Sequence, residues 1–279
     1  MSESSSHLPP LRDVIREYGL RAEKSLGQNF LLDQNITDKI VRLSGPKMDG
    51  VNAVEIGPGP GGLTRAILAS KASQLVAVEF DPRAVTALQG LVDVYGAERF
   101  EIVQGDALGI DPCDLVPAPR AILSNLPYNI STVLLLKWLT QIREDVTCYA
   151  FLSLMFQKEV ADRILAQPSS KTYGRLSVMA QWLCDVKRLF DLPPSAFTPP
   201  PKVKSSVLHF VPKNLDAGQP RFETMEKILA AAFGQRRKMI RGSLSDYAAE
   251  IEQVGIDPTL RAEDVPVCEY VRLAQAFES

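Results

Sequence analysis

The stretch Val54-Glu55-Ile56-Gly57-Pro58-Gly59-Pro60-Gly61-Gly62-Leu63-Thr64 decides the fold. An apolar run from Ala53 to Ile56 has the character of a strand and enters a turn rich in glycine and proline. Beyond the turn, Leu63 to Ala69 carries the periodicity of an amphipathic helix. Strand, glycine turn and helix form the element with which open α/β sheets hold a nucleotide-like cofactor. Glycines there let a bulky ligand approach the backbone, because no Cβ stands in the way.

The neighbouring residues narrow the choice of cofactor. A dinucleotide's pyrophosphate is held by backbone N–H groups at a helix N-terminus. Pro58 and Pro60 have no such hydrogen, so two donors are missing. Glu55 adds a carboxylate near the strand end, which repels a pyrophosphate and tolerates a sulfonium and an amino group. The turn therefore suits a cofactor without phosphate, such as S-adenosylmethionine. Taken alone, the stretch also reads as a loop that only turns the chain.

Working outward, strands are expected at Gln74 to Glu79, Phe100 to Gln104, Ala121 to Ser124 and Cys148 to Met155. Helices are expected at Val133 to Leu139, Gln157 to Leu165 and Gly174 to Leu183. The alternation argues for an α/β fold with a parallel sheet. Val186 to Phe190 and Ser206 to Val211 read as a closing antiparallel pair. Upstream, Leu11 to Tyr18 and Ile36 to Leu43 read as helices, the second capped by Asp33. Between them, Ser25 to Asp33 reads as a lid or docking segment, or as a helix lead-in. The prolines between Phe197 and Ser205 stiffen a loop that presents Lys202 and Lys204 outward. After Pro212 the pattern is helical to Phe277, which sets a domain boundary near Pro212.

Three polar residues fall at successive strand ends, where α/β folds bind ligands. Glu79 lies roughly 20 residues past the glycine turn, where an acid binds ribose hydroxyls. Asp106 is placed to accept from an adenine amino group. Each acid alone also reads as a turn or cap residue. Asn125 opens the tetrapeptide Asn125-Leu126-Pro127-Tyr128, whose plainer reading is a turn before a helix. The exocyclic amine of adenine is a poor nucleophile, because its lone pair is delocalised into the ring. Two acceptors on its hydrogens favour the pyramidal, attacking form. The Asn125 side chain and a main-chain carbonyl near Leu126 or Pro127 supply them. Pro127 fixes the turn, and Tyr128 offers a face for a flipped base.

Composition sets the outer bounds. The chain has 279 residues, 46% of them hydrophobic and 23% charged, with a formal net charge of −2. Global charge thus announces no nucleic-acid partner. Its distribution does. From Pro200 to Arg241 nine Lys/Arg stand against three acids, a net of +6, with Arg236, Arg237, Lys238 and Arg241 at its end. From Gly242 to Ser279 eight acids stand against two bases, a net of −6. A solvated helix face is the bland alternative for such a run. The cysteines, Cys113, Cys148, Cys184 and Cys268, are scattered with no C-x-x-C pair, as expected of reduced thiols in a cytoplasm. The two histidines, His7 and His209, exclude a multi-histidine metal site. Met1 to Ser6 is polar with no apolar signal core, and no apolar run approaches membrane-spanning length.

Several stretches together resemble the ribosomal RNA adenine N6-dimethyltransferases, small-subunit (16S, kasugamycin-resistance) branch. They are Leu26-Gly27-Gln28-Asn29-Phe30-Leu31, Glu55-Ile56-Gly57-Pro58-Gly59, Val78-Glu79, Gly105-Asp106-Ala107, Asn125-Leu126-Pro127-Tyr128-Asn129-Ile130-Ser131, Gln157-Lys158-Glu159-Val160-Ala161 and Phe233-Gly234-Gln235-Arg236-Arg237-Lys238. The resemblance implies a class I, Rossmann-like methyltransferase domain over residues 1–212 and a helical rRNA-binding domain over 213–279. It implies S-adenosylmethionine contacts at Asn29, Leu31, Gly57, Glu79, Asp106 and Asn125. It implies that a monomer transfers four methyls to two adjacent adenosines in the 3′-terminal hairpin of small-subunit rRNA, during 30S subunit biogenesis in the cytoplasm. The chain departs from the family pattern at Pro60, often leucine, at Gly62, often alanine, and at Lys204, often acidic. Three other readings compete: a large-subunit rRNA methyltransferase, an NAD-dependent dehydrogenase and a non-catalytic assembly factor. The Phe233 to Lys238 stretch, the two prolines and the intact Asn125 to Tyr128 motif argue against them in turn.

Overall fold

A computed structural model describes residues 8–20, 29–235 and 237–279. Its strands are β1 (Phe30–Leu31), β2 (Asn52–Ile56), β3 (Gln74–Glu79), β4 (Phe100–Gln104), β5 (Arg120–Ser124), β6 (Phe151–Gln157), β7 (Cys184–Leu192), β8 (Phe197–Thr198) and β9 (Ser205–Pro212). Its α-helices are α1 (Leu11–Glu17), α2 (Gln34–Leu43), α3 (Gly62–Leu68), α4 (Pro82–Tyr95), α5 (Pro112–Leu115), α6 (Ser131–Glu144), α7 (Lys158–Ile164), α8 (Arg175–Leu183), α9 (Phe222–Gly234), α10 (Ile240–Ser243), α11 (Ala248–Val254) and α12 (Val267–Glu278).

Seven strands form one sheet in the order β4-β3-β2-β5-β6-β9-β7. Strands β2 to β6 run parallel, and β9 returns antiparallel to β6. The chain winds outward from β2 to β4, then comes back to lay β5 beside β2. That reversal opens a crevice at the carboxyl ends of β2 and β5, where ligands bind in such sheets. Strand β2 is buried along its whole length, and β5 and β6 nearly so, as expected of central parallel strands. Ile67, Leu75, Leu88, Phe100, Ala121 and Phe151 lie in the core of this sheet.

Ser44, Ser153 and His209 form a buried polar chain in this core. Their contacts are 2.7 Å between the two hydroxyls and 2.8 Å from Ser153 Oγ to His209 Nδ1. Burial pushes the His209 imidazole down to about 4, so it is neutral at pH 7.

By packing, the chain falls into two compact units. The first contains residues 1–137, 147–158 and 187–211; the second contains 138–146, 159–186 and 212–279. The second unit thus resumes at Pro212 and also takes in two earlier segments, which the sequence reading assigned to the methyltransferase domain. Its centre is aromatic: Phe233 lies 6.1 Å from Tyr173 and 5.9 Å from Tyr270, ring centre to ring centre. Trp182 stacks on Phe222 and donates its indole N–H to Gln219 at 2.9 Å.

Several expectations need adjustment. The fifth strand of the sequence reading starts at Phe151, not Cys148, and runs on to Gln157. Its ladder opens where Phe151 meets Ala121, and Gln157 is held by pairing with Ser205. The helix expected over Val133 to Leu139 is twice as long. The closing pair is present, with β9 between β6 and β7. The reading placed no helix between Glu79 and Phe100, where α4 stands with Asp81 as its cap and Pro82 in its first turn. The proposed lid yields a two-residue strand, Phe30 pairing with Thr198 and Leu31 with Phe197. Residues 21–28 of that segment lie outside the described residues. Among the described residues no helix is long and apolar enough to cross a membrane.

Candidate active site

A cavity of about 250 Å³ opens at the carboxyl ends of the parallel strands. Residues 29–31, 55–60, 62–63, 78–80, 105–108 and 125–130 line it. The cavity therefore gathers Asn29, Leu31, Gly57, Glu79, Asp106 and the whole Asn125 to Tyr128 tetrapeptide into one place.

The turn from Gly57 to Gly61 has no N–H group to spare for a phosphate. Gly57 donates its N–H to the Val78 carbonyl at 2.9 Å, and Gly61 donates to Pro58 at 3.0 Å. Gly59 donates to Glu79 Oε2 at 3.0 Å. Pro58 and Pro60 have no N–H. Every donor from Gly57 to Gly61 is thus spent or missing, in contrast to a pyrophosphate cradle. Gly59 adopts φ 55°, and a Cβ there would approach Phe30 Cε1 to 2.9 Å. A Cβ on Gly62 would collide with the Leu31 carbonyl oxygen. Glycine at 62, a departure from the family pattern, thus lets α3 start tight against β1.

Two carboxyls stand behind this turn. Glu79 is 4% exposed and accepts from the N–H groups of Asp81, at 2.8 Å, and Gly59. Burial pushes it above the ordinary carboxylate range, and those N–H groups pull it back. Glu55 corrects the sequence reading, which treated it as a charged carboxylate. It is 2% exposed, and burial raises it to about 8, only partly offset by the Thr64 hydroxyl at 2.7 Å. At neutral pH Glu55 is therefore largely protonated. The argument against a pyrophosphate rests on the spent N–H groups of Gly57 to Gly61 rather than on charge at Glu55.

Asp106 is exposed and uses Oδ1 to accept from the Leu108 N–H at 2.9 Å, so it also shapes the loop after β4. Across the cavity, Asn125 donates Nδ2 to the Asn29 carbonyl at 2.9 Å. An amide anchored through its nitrogen keeps Oδ1 as an acceptor. The Pro127 carbonyl accepts from Ile130 N–H at 3.2 Å. The Tyr128 hydroxyl lies 2.7 Å from the hydroxyl of Ser205, a fully buried residue on β9. Burial raises the phenol above its ordinary value, so Tyr128 stays neutral.

Sequence reasoning missed Ser205, Phe30 and Phe80 around this cavity. Phe80 is 61% exposed, unusual for so large an apolar side chain, and lines the cavity just after Glu79. An aromatic directly after a strand-end acid was the available signal. Ser205 had none, because its partner is 77 residues away.

The basic residues divide between the units. Lys202 and Lys204 are exposed in the first unit; Arg237, Lys238 and Arg241 are exposed in the second. Arg236 lies outside the described residues. The backbone beside this cluster is tied down, Ile240 N–H to Leu260 at 2.7 Å and Arg241 N–H to Pro258 at 3.1 Å. Among the described residues no group of three or more His, Cys, Asp or Glu side chains is arranged to hold a metal ion.

The sequence pattern described as "Ribosomal RNA adenine dimethylase" matches residues 19–279. Two proteins named "Ribosomal RNA small subunit methyltransferase A" are close relatives. The one from Rhodospirillum rubrum is 49% identical over 275 residues, 98% of this chain and 93% of the relative. That from Xanthobacter autotrophicus is 51% identical, covering 97% and 94%. Among solved structures, a dimethyladenosine transferase from Plasmodium falciparum superposes with a TM-score of 0.74 at 23% identity, over 88% of this chain and 96% of that one. The 23S rRNA methyltransferase ErmE superposes with 0.66 at 23% identity, over 90% and 100%. At that identity the two structures speak for the fold alone.

Proposed function

From the premise that the chain belongs to the ribosomal RNA adenine dimethylase family, we propose that it dimethylates the N6 amines of two adjacent adenosines in the 3′-terminal hairpin of small-subunit rRNA. It is an rRNA adenine dimethyltransferase, and its cofactor is S-adenosylmethionine. That cofactor supplies an electrophilic methyl group carried on a sulfonium. The cavity suits it, with a buried acid at the end of β3, a glycine turn without spare N–H groups and an apolar rim that includes Phe80. Glu79 receives the ribose hydroxyls, and Asp106 with the Leu108 loop receives the adenine. Asn29, Leu31 and Gly57 line the approach to the reacting end.

One observation carries the mechanistic part of this reading: the bond from Asn125 Nδ2 to the Asn29 carbonyl. That bond leaves Oδ1 as an acceptor, and in this reading Oδ1 meets the target amine. Oδ1 and the Leu126 carbonyl take the two amine hydrogens and free the nitrogen lone pair. Tyr128, held at its hydroxyl by Ser205, stacks on the flipped base. Rate then comes from alignment and fixed polar groups rather than from a base. Lys202, Lys204, Arg236, Arg237, Lys238 and Arg241 contact rRNA phosphates, the helical residues 213–279 serving as an rRNA-binding domain. The substrate is the immature 30S subunit in the cytoplasm, and the enzyme acts as a monomer.

The test is mass spectrometry of rRNA after incubation with labelled S-adenosylmethionine and unmethylated small or large subunits. Four labelled methyls on two neighbouring adenosines of small-subunit rRNA are expected. Label on the large subunit, or none on either, refutes the proposal.

A further inference from the structure

Two of the four cysteines are far apart in sequence and adjacent in space. Cys113 sits in α5, Cys148 just before β6, and their sulfurs are 2.8 Å apart across 35 positions. This is inside the contact distance of two unbonded sulfurs. The Arg120 guanidinium spans both segments, donating to the Cys148 carbonyl at 2.9 Å, the Cys113 carbonyl at 3.4 Å and the Val116 carbonyl at 2.8 Å. The two backbones are therefore clamped with the sulfurs facing each other. Cys148 is buried and Cys113 half-buried, so a small oxidant reaches Cys113 first. The other two cysteines, Cys184 and Cys268, belong to the second unit.

We propose that Cys113 and Cys148 form a modification site: a thiol pair that closes into a reversible intrachain disulfide when the protein meets a small-molecule disulfide. In the first exchange the Cys113 thiolate attacks one sulfur of the oxidant, forming a mixed disulfide and releasing one small thiol. In the second, the Cys148 thiolate attacks Cys113 Sγ, forming the protein disulfide and releasing the second small thiol. The two thiol protons end on the two leaving thiols, and the two electrons reduce the oxidant. Burial pushes the Cys148 thiol up to about 12, so closure is slow at neutral pH and faster as pH rises. The bond would pin α5 to the lead-in of β6. The loop before α5 carries Asp106 to Leu108 on the cavity wall, and Lys137 already holds it through the Leu108 and Ile110 carbonyls at 2.9 and 2.7 Å.

The experiment uses the full-length protein, fully reduced, then incubated with oxidised glutathione at pH 7.0 to 8.5 and alkylated after denaturation. A cross-linked peptide pair containing Cys113 and Cys148, reversed by dithiothreitol, is expected, with buried Cys184 alkylated and exposed Cys268 carrying glutathione. Cross-linking should speed up as pH rises. The oxidised protein should also melt about 5 °C or more higher, as expected for a loop of this length. Cys113→Ser, at a half-buried site, should fold, show no cross-link from Cys148 and lose the melting shift. Cys113 and Cys148 both alkylated after oxidation, glutathione retained on Cys113 beside a free Cys148, or either of the two bridged to Cys184 or Cys268 would each overturn the proposal.

Discussion

The two walls of the cavity are built in opposite ways. The wall proposed for the cofactor is local: Glu55 meets Thr64 across 9 positions, and Gly59 meets Glu79 across 20. The wall proposed to hold the acceptors is held from afar: Asn125 leans on Asn29 across 96 positions, and Tyr128 on Ser205 across 77. A wall made of one βαβ unit forms as soon as that unit folds. A wall made of distant segments exists only once the whole sheet has closed, with β9 laid against β6 and β1 against β8. Binding energy for the cofactor is thus expected to withstand changes that ruin the geometry for transfer.

The sharpest way to break this contrast is Asn125→Ala. With rRNA and S-adenosylmethionine both saturating, single-turnover transfer should fall about 10²-fold or more, as for the loss of one fixed polar group from a transition-state site. A rate within about threefold of the parent would mean that main-chain carbonyls and stacking suffice.

Next comes Glu79→Ala on the local wall. Cofactor affinity should weaken by about 1.5–3 kcal/mol, the range for hydrogen bonds to a charged group. Calorimetry showing unchanged affinity would remove Glu79 from the site.

Glu55 sharpens the contrast through pH. Its folded value of about 8 lies above the ordinary 4.5, so the fold holds a proton that the unfolded chain has already lost. Stability should therefore drop as pH rises between these values. A cationic cofactor favours the ionised form, so binding should release up to one proton near pH 7. Affinity should rise with pH, by at most about tenfold per unit, and level off above about 8. Titration calorimetry in buffers of different ionisation enthalpy measures the released proton, and Glu55→Gln should abolish it. A pH-flat affinity in the parent would contradict this account.

Ser205→Ala is the mildest change, on the distant wall. The Tyr128 ring remains and only its hydroxyl loses a partner, which costs about 0.5–1.5 kcal/mol. Transfer should slow several-fold with cofactor affinity intact. A drop in cofactor affinity instead would mean that the two walls are not separable in the way proposed.

The same division governs what could be read in advance. Strands β3 and β4 were legible to the residue, because the apolar run Leu75 to Val78 ending in Glu79, and the short run Phe100 to Gln104 before Gly105-Asp106, are local signals. Helix α4 was missed although Asp81 and Pro82 mark its start. The β1–β8 pair was missed for a better reason, since two residues have no periodicity to detect. Glu79 and Asp106 were singled out by position, the tetrapeptide by its chemistry, and the other cofactor candidates by family resemblance, and all of them line one cavity. Ser205, Phe30 and the meeting of Cys113 with Cys148 were not, because nothing near them in sequence announces their partners.

By itself, the sequence determined the α/β alternation, the glycine turn in which two prolines withhold N–H groups from a phosphate, and the polar residues at successive strand ends. These depend on backbone sterics, side-chain periodicity and a missing N–H on proline, all properties of a few adjacent residues. Only the tertiary structure decided that Glu55 is protonated, that Asn125 presents an oxygen rather than a nitrogen, and that a serine steadies Tyr128. A proton's place depends on how much water the surrounding chain excludes, and an amide's direction on which distant carbonyl claims its N–H. Both are settled by segments that meet only when the sheet closes.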